Sequence, residues 1–181
     1  MGKYAGKATV QYLEDISNLA EIESEDIQEC KDRLETYIGC PTEYTPQVVL
    51  NRVREVIFPY DVSIIKNEES LQLALASIRE IKMNLVPQML ADDPHTLLKA
   101  MEVTNIVTTS EPYLMASLER KETRAGHYRE DYPEKDDSKG LSWLIFSKND
   151  DNYLMEVEPL PIDTYKYPIH GYYSDCFDLK K

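Results

Sequence analysis

The sequence predicts a mainly α-helical protein: a bundle of three or more helices, spectrin-repeat-like, followed by a β-hairpin and an extended C-terminal tail. Before Glu119, apolar residues recur at three- and four-residue spacing, which is the pattern of helices with one buried face. After Gly140 the pattern changes to a short apolar run, a turn and an alternating segment, which is typical of a hairpin. Prolines at 159, 161 and 168 then favour an extended tail.

Length and charge limit the classes of function. A chain of 181 residues can bury a substantial core. Its formal net charge of −13 argues against nucleic acid and anionic membrane surfaces as partners, since both attract clustered Lys and Arg. We find no transmembrane-length apolar run and no signal-peptide core, so we expect a cytoplasmic protein without direct membrane insertion. The three cysteines, Cys30, Cys40 and Cys176, have no zinc or disulfide spacing, and we expect free thiols.

The first two helices are predicted from small-residue and apolar spacing. A helix from Lys3 to about Ala20 begins with small residues that would let another element approach its backbone closely. Ser24 is predicted to cap a second helix that ends at Gly39. Its strongly acidic composition is interpreted as a solvated face. Its apolar stripe is Ile27, Cys30, Leu34 and Ile38, so Cys30 is predicted to be a core residue.

Three further helices have clear start signals. Thr45 precedes Pro46, Asn67 precedes an apolar stripe that continues to about Leu90, and Asp93 precedes Pro94. Pro87 should break or kink the end of the second of these helices. The third should bend at Pro112 and end at Gly126. Its predicted inward residues are Leu97, Leu98, Met101, Thr104, Asn105, Thr108 and Leu114 to Leu118.

The C-terminal segment is predicted to form a hairpin from Ser142–Lys148 and Tyr153–Glu158. Tyrosines in the tail suggest that it covers a surface. The chain therefore divides into residues 1–40 (an N-terminal helix and an acidic linker helix), 41–137 (the helical bundle) and 138–181 (the hairpin and the proline- and tyrosine-rich tail). The aromatic residues of the tail are Tyr165, Tyr167, Tyr172, Tyr173 and Phe177.

A charged turn, Glu119 to Asp137, is the most distinctive segment and reads ERKETRAGHYREDYPEKDD. Basic and acidic residues alternate around Gly126, His127 and Pro133, which predicts a loop held in one shape by ion pairs. Arginine forks in such a loop suit carboxylates and phosphates. The sequence supports equally well a fixed surface turn after a helix, with no binding role.

Other chemistry is weakly indicated. The sequence has no G-x-G-x-x-G and no P-loop, so we expect no nucleotide site of its own. His95, a capping or surface residue, and His170 have no metal or catalytic spacing, and no metal site is expected. Asp131, Asp136 and Asp137 could attract a divalent cation, but caps or ion pairs are the favoured interpretation.

The charged turn and the segment VSIIKNEESLQLALASIREIK before it resemble a known family. They are similar to the C-terminal helical domain of succinate dehydrogenase and fumarate reductase flavoprotein subunits, whose relatives include adenylylsulfate reductase α-subunits and L-aspartate oxidase. The family pattern is an E-S-R-G-x-H-x-R-like turn, then D-x-P and paired acids. Thr123 replaces the usual Ser, and Ala125-Gly126 reverses the usual Gly-Ala order. The matching positions are Glu122 to Arg129, Asp131, Pro133, Asp136 and Asp137. The first residues, GKYAGKATVQY, also resemble the helix that closes the flavin domain.

The resemblance implies a fragment of a flavin-dependent oxidoreductase. FAD and the hydride-transfer residues would belong to the missing part of the parent enzyme, so we expect no cofactor, no catalytic residue and no activity in this chain. The implied partners are the parent's flavin-binding domain and an iron–sulfur subunit, and other subunits could place the enzyme at a membrane. The alternative is an acidic helical interaction module with no redox role. The residues predicted to dock on the flavin domain are Arg120, Arg124, His127, Tyr128, Arg129 and Asp131.

Overall fold

The computed structural model describes residues 2–14, 16, 21–40, 42, 44–149 and 152–164. It confirms the mainly helical fold class with a terminal hairpin. The predictions for His170, Cys176 and the aromatic tail lie outside the described residues. The helices are α1 (Gly2–Glu14), α2 (Ser24–Glu35), α3 (Pro46–Ile57), α4 (Tyr60–Ser63), α5 (Glu68–Glu80), α6 (Pro94–Glu119) and α7 (Asp137–Gly140). The strands are β1 (Ile65–Lys66), β2 (Tyr128–Arg129), β3 (Ser142–Asn149) and β4 (Asn152–Pro159).

The core lies between α3, α5 and α6. All three helices start at the predicted caps. The Thr45 side chain accepts a hydrogen bond from the Val48 N–H, and Asn67 and Asp93 do the same in their own first turns. These caps satisfy backbone donors that have no partner inside the helix. The buried apolar side chains from the three helices are Val49, Val53, Leu71, Ala74, Ile78, Ala100, Val103, Val107 and Leu114.

The end of α5 changes its winding before Pro87. After Glu80 the chain continues as a π-helical turn, Ile81–Leu85, and a 3-10 turn, Val86–Gln88. Pro87 has no N–H for the carbonyl four residues earlier, so the α-helical pattern cannot continue through it. The predicted break at Pro87 is confirmed.

The buried face of α6 agrees with the predicted one only in part, at Leu114 and Ser117. Leu98 and Asn105 are exposed, and the helix ends at Glu119 rather than Gly126. Ala100, Val103 and Val107 are buried although they were not among the predicted inward residues. The buried residues of α6 are Ala100, Val103, Val107, Glu111, Leu114 and Ser117.

The hairpin is anchored where proline interrupts α6. Strands β3 and β4 pair antiparallel, as predicted, with Trp143 opposite Glu158. Pro112 cannot donate to the Thr108 carbonyl, and the Tyr153 hydroxyl donates to that carbonyl at 2.8 Å. Beside it, the Lys82 ammonium lies 5.3 Å from the centre of the Tyr153 ring. The proline gap in α6 is therefore the attachment point of the hairpin.

The two N-terminal helices bury no side chain. The residue that caps α2 is Glu23, one position before the predicted Ser24, and it forms a capping box with Asp26. The prediction that Cys30 is a core residue is wrong, because Cys30 is exposed and α2 has no buried residue. The helix ends at Glu35, before Gly39, whose φ of 69° is left-handed.

Candidate functional site

The charged turn folds back onto the C-terminal end of α6. The Arg129 guanidinium donates to the carbonyls of Ser117 and Leu118 at 2.7 and 3.3 Å. The Nε2 atom of His127 lies 3.0 Å from the carbonyl oxygen of Arg120, the residue that caps α6. These carbonyls have no acceptor role inside the helix, and a cation there also offsets the helix dipole. The turn is thus the C-cap of the longest helix.

The same arginine connects α6 to the start of α5. Arg129 is 0% exposed and donates two parallel hydrogen bonds to Asp131, at 2.8 and 2.7 Å. Asp131 also accepts from the backbone N–H of Glu68, the first residue of α5, at 2.9 Å. The hydrogen bonds from Arg129, opposed by burial, lower the pKa of Asp131. A short parallel ladder, with Ile65 opposite Tyr128, runs beside this junction.

Glu122 forms the second centre of the turn and is only 2% exposed. Its carboxylate accepts from Arg120 Nη1 at 2.8 Å, from Arg124 Nε and Nη2 at 2.9 and 2.8 Å, and from the Asp136 N–H at 2.9 Å. Burial would raise its pKa, but these donors outweigh it and lower the pKa to about 2. A buried carboxylate with this many donors is stable as an anion.

Glu122 also brings the turn against the root of the hairpin. Arg120 donates onward to the carbonyls of Gly140 and Ser142 at 2.9 and 3.0 Å. Gly140 is buried, and a Cβ atom at that position would overlap the Glu122 carboxylate. The close approach therefore requires glycine.

The tip of the turn has an unusual backbone. Arg124 and His127 exchange two backbone hydrogen bonds, of 2.8 and 2.9 Å. Between them, Ala125 has a φ of 51°, in the left-handed region that favours glycine. Gly126 does not have a left-handed φ. The reversed Ala-Gly order therefore leaves the non-glycine residue at the position that needs glycine.

Several residues of the site lie outside the six predicted to dock, among them Glu122, Thr123 and Lys66. The Thr123 hydroxyl accepts from the Arg129 N–H at 2.9 Å and donates to the Tyr132 carbonyl at 2.9 Å. The family pattern has a serine at this position, and a serine would supply the same hydroxyl. The pattern could therefore have indicated that a hydroxyl is needed here. Lys66 is buried next to the turn, and its ammonium donates to the Ser63 carbonyl at 3.1 Å. No pattern in the sequence marks Lys66 as part of the site.

Positive charge surrounds His127. Burial lowers its pKa most, and the charges of Lys66, Arg129 and Arg120 lower it further, against the hydrogen bond to the Arg120 carbonyl. The pKa of Lys66 is lowered in turn by burial and by Arg129. The imidazole is therefore neutral at pH 7.

The six residues predicted to dock divide into two groups. Arg120, Arg124, Arg129 and Asp131 make their ionic contacts within the turn and its neighbours. Tyr128 is 41% exposed and His127 is partly exposed. Docking itself stays a prediction for all six.

The three aspartates serve as caps and ion-pair partners. Asp136 accepts from the Ser138 N–H at 2.9 Å, and Asp137 accepts from Arg124 at 2.7 Å. Across the described ranges, no group of three His, Cys, Asp or Glu residues is placed to hold a metal ion. The favoured interpretation of caps and ion pairs is confirmed. His95 is an exposed first-turn residue, as predicted.

Comparison with known proteins identifies a family for most of the chain. The model of the fumarate reductase flavoprotein C-term family matches residues 55–172. An uncharacterized FAD-dependent oxidoreductase of Methanocaldococcus jannaschii is 32% identical over 135 residues, 74% of this chain and 24% of that protein. One subunit of the CoM/CoB fumarate reductase of Methanothermobacter marburgensis is 32% identical over 95 residues, 49% of this chain and 17% of its own length.

Solved structures show the same fold. Mycobacterium smegmatis Sdh1 in complex with UQ1 matches 93% of this chain with a TM-score of 0.73 and 20% identity. A quinol-fumarate reductase with menaquinol matches 89% with a TM-score of 0.77 and 18% identity. The chain spans 28% and 29% of those two chains, so it corresponds to about a quarter of its relatives.

Proposed function

This chain belongs to the fumarate reductase flavoprotein C-terminal family, and from that premise we propose that it packs against a flavin-binding domain and has no turnover by itself. It is the helical C-terminal domain of an oxidoreductase of the succinate dehydrogenase and fumarate reductase type. The relatives do not support the alternative of an interaction module without a redox role.

The outward apolar residues of α1 and α2 are the observation that carries this proposal. Tyr4 is 79% exposed and Ile22, just before α2, is 76% exposed, and neither helix has a buried residue. Tyr12 in α1 and Ile27 in α2 are further exposed apolar residues of these helices. Helices with apolar faces obtain most of their stability from tertiary packing, so these helices favour a covering partner. The flavin-binding domain is the partner that we propose, with His127 and Tyr128 as a separate predicted contact.

FAD is held by the parent enzyme rather than by these residues. A dinucleotide needs a glycine-rich turn between a strand and a helix, where backbone N–H groups meet the pyrophosphate. None of the six glycines of the sequence forms a G-x-G-x-x-G pattern. The described strands β1 and β2 are two residues long and lead into no such turn. We therefore assign no flavin step to this chain.

We propose the remaining partners by analogy with the family. The parent enzyme contacts an iron–sulfur subunit, and it reaches a membrane through other subunits. In the part of the chain that the structure describes, no helix is long and apolar enough to span a membrane. Co-purification of the tagged parent enzyme with an iron–sulfur protein tests this part of the proposal.

The packing proposal is tested on the parent flavoprotein, cut by a specific protease at a site inserted before residue 1. We expect the 181-residue chain to remain bound to the flavin-containing part and to show no fumarate or succinate turnover when isolated. Tyr12→Ser and Ile27→Ser should speed its dissociation. Leu73→Ser, at an equally exposed position on α5, is the matched control. Immediate separation of the two parts, or turnover by the isolated chain, would overturn the proposal.

A further inference from the structure

The pairing of β3 and β4 gives the hairpin one face towards the bundle and one face away from it. Directly opposite residues of an antiparallel pair share a face, and successive residues of a strand alternate between faces. Tyr153 reaches α6 through its bond to the Thr108 carbonyl, and the Phe146 ring meets the Tyr153 ring edge-on with centroids 6.5 Å apart. Phe146 and Tyr153 therefore mark the face that packs on the bundle.

The other face carries large apolar side chains that remain exposed. The register places on this outer face Trp143, Ile145, Leu154, Glu156 and Glu158. Trp143 is 46% exposed, and Ile145 and Leu154 are exposed as well. Tryptophan is a largely buried residue type in most proteins, and large apolar side chains grouped at a surface mark a contact site. The outer face is therefore an apolar strip beside two carboxylates.

The chain leaves the hairpin at the end where Trp143 lies. The Leu160 N–H donates to the Leu141 carbonyl at 3.0 Å, immediately beyond the last pair of the ladder. The 3-10 turn Ile162–Thr164 follows. Residues 160–164 thus form a short connection, of a length that is usual between neighbouring elements. The sequence after this turn begins within reach of the outer face.

That sequence matches the outer face in chemistry and in length. Residues 165–174 read YKYPIHGYYS and contain four tyrosines, one lysine and no acidic residue, in a chain whose net charge is −13. A tyrosine ring covers apolar surface while its hydroxyl donates to a carboxylate, so it suits an apolar strip beside Glu156 and Glu158. Ten extended residues span up to about 35 Å, more than the length of the eight-residue strand β3.

Two further observations favour the tail of this chain over a separate partner. The family match continues past Thr164 to residue 172, so the first residues of the tail belong to the same family domain. A segment tethered next to its surface also has an effective concentration of about millimolar order, which gives it an advantage over a separate partner of similar affinity.

We infer that the C-terminal tail packs over the outer face of the hairpin, with the rings of Tyr165 and Tyr167 on Trp143 and Ile145 and their hydroxyls on the two glutamates. Tyr165 and Tyr167 are two residues apart, so they point to the same side of an extended segment. The contact makes the hairpin an internal layer of the domain and removes its outer face from the surface open to partner proteins. It does not involve the flavin-binding domain, so its test is independent of the proposed function.

Trp143 is the single tryptophan of the 181-residue chain, so its fluorescence reports on this face. The chain is excited at a wavelength that tyrosine does not absorb, and acrylamide is added as quencher. Removal of residues 165–181 should raise the quenching constant about twofold and move the emission to longer wavelength, because it uncovers the exposed half of the indole. Circular dichroism checks that the helices of the shortened chain remain folded.

A double variant tests the same contact without shortening the chain. Tyr165→Ser combined with Tyr167→Ser should give most of the increase in quenching. Phe177→Ser, which lies in the same tail beyond the proposed contact, is the matched control and should leave the quenching of Trp143 unchanged. If the shortened chain does not fold, the comparison of these two full-length variants decides.

Several outcomes would overturn the inference. One is equal quenching of Trp143 in the full chain and the double variant. Protection that appears only at high protein concentration would assign the outer face to a second copy of the chain, and protection only after addition of the flavin-containing part would assign it to that domain. An equal increase from Phe177→Ser would also overturn the inference, because the effect would then not depend on the two tyrosines.

Discussion

The charged turn and the two N-terminal helices use their side chains in opposite ways. In the turn, Glu122 and Arg129 are buried and every ionic contact closes within the domain. In α1 and α2, no side chain is buried and apolar residues point outward. A segment rich in charge is therefore internal to the fold, whereas the apolar residues of the N-terminal helices have no cover among the described residues.

The difference shows that polarity alone does not decide which segment is exposed. Four donors surround Glu122, so its burial costs little, and Arg129 satisfies helix carbonyls that would otherwise lack a partner. By contrast, the described residues bury no side chain of α1 or α2. The turn holds the domain together, and the N-terminal helices carry the partner contact that we propose.

The largest expected effect comes from removing the buried arginine. Arg129→Met leaves Asp131 without its bidentate partner and the carbonyls of Ser117 and Leu118 without their donor. We therefore expect a loss of about 4 kcal/mol in the free energy of unfolding. Urea denaturation measures it. Arg52→Met is the matched control, because Arg52 is 63% exposed in its ion pair with Glu55 and should contribute under about 1 kcal/mol. Equal losses in the two variants would contradict the internal role of the turn.

Acid should weaken the turn through Glu122. Its pKa is about 2 in the folded state and 4.5 as the ordinary value, so the unfolded chain binds more protons between these values. The contribution, about 3 kcal/mol, is therefore present above pH 4.5 and is lost as the pH falls from 4.5 towards 2.

Unfolding free energy measured against pH tests this assignment. Glu122→Gln should be less stable at pH 7 and should flatten the curve between pH 4.5 and 2, because the group that titrates is gone. Glu119→Gln, an exposed neighbour, should leave the curve unchanged. An unaltered acid slope in Glu122→Gln would assign the effect to other carboxylates.

A smaller effect of opposite sign is expected at the tip of the turn. Ala125→Gly relieves the left-handed φ of 51° and should stabilise the domain by about 0.5 to 1 kcal/mol, since strain relief exceeds the added freedom of the unfolded chain. Gly126→Ala should be neutral, because a Cβ there meets no atom within 4 Å and φ is not left-handed. A lower Tm for Ala125→Gly would show that the turn tolerates alanine without strain.

The smallest effect is expected from the N-terminal helix. Deletion of residues 1–14 removes α1, which has no buried residue, so the free energy of unfolding of the remaining chain should change by less than about 0.5 kcal/mol. Thermal unfolding of the shortened chain measures this. A decrease above about 1 kcal/mol would mean that α1 packs on the bundle and that the contrast with the turn is weaker.

The sequence predicted correctly those features that depend on residues close to one another in the chain. The caps at Thr45, Asn67 and Asp93 were correct because each satisfies donors a few residues away. The hairpin was found from alternation and a turn, which are also local. The ion-paired character of the charged turn followed from its residues, and the structure confirms it.

Contacts between distant elements were not predictable in the same way. The face of α6 was predicted correctly only at Leu114 and Ser117, because several stripes of its apolar and β-branched residues were possible. Packing against the neighbouring helices buries Val103 and Val107 instead of Leu98 and Asn105. Cys30 looked buried because a periodic stripe does not reveal whether a partner is present. Lys66 entered the site through the β1–β2 ladder, which joins segments far apart in sequence.

By itself, the sequence determined the starts of the three core helices, the hairpin, the family and the ion-paired turn, because caps, periodicity and motif order are encoded in neighbouring residues. Only the tertiary structure decided what the turn's charges face. It placed Arg129 and His127 on the last carbonyls of α6 and Asp131 on the first N–H of α5. The physical reason is that helix ends leave unpaired backbone groups, and which side chain reaches them depends on how the helices pack.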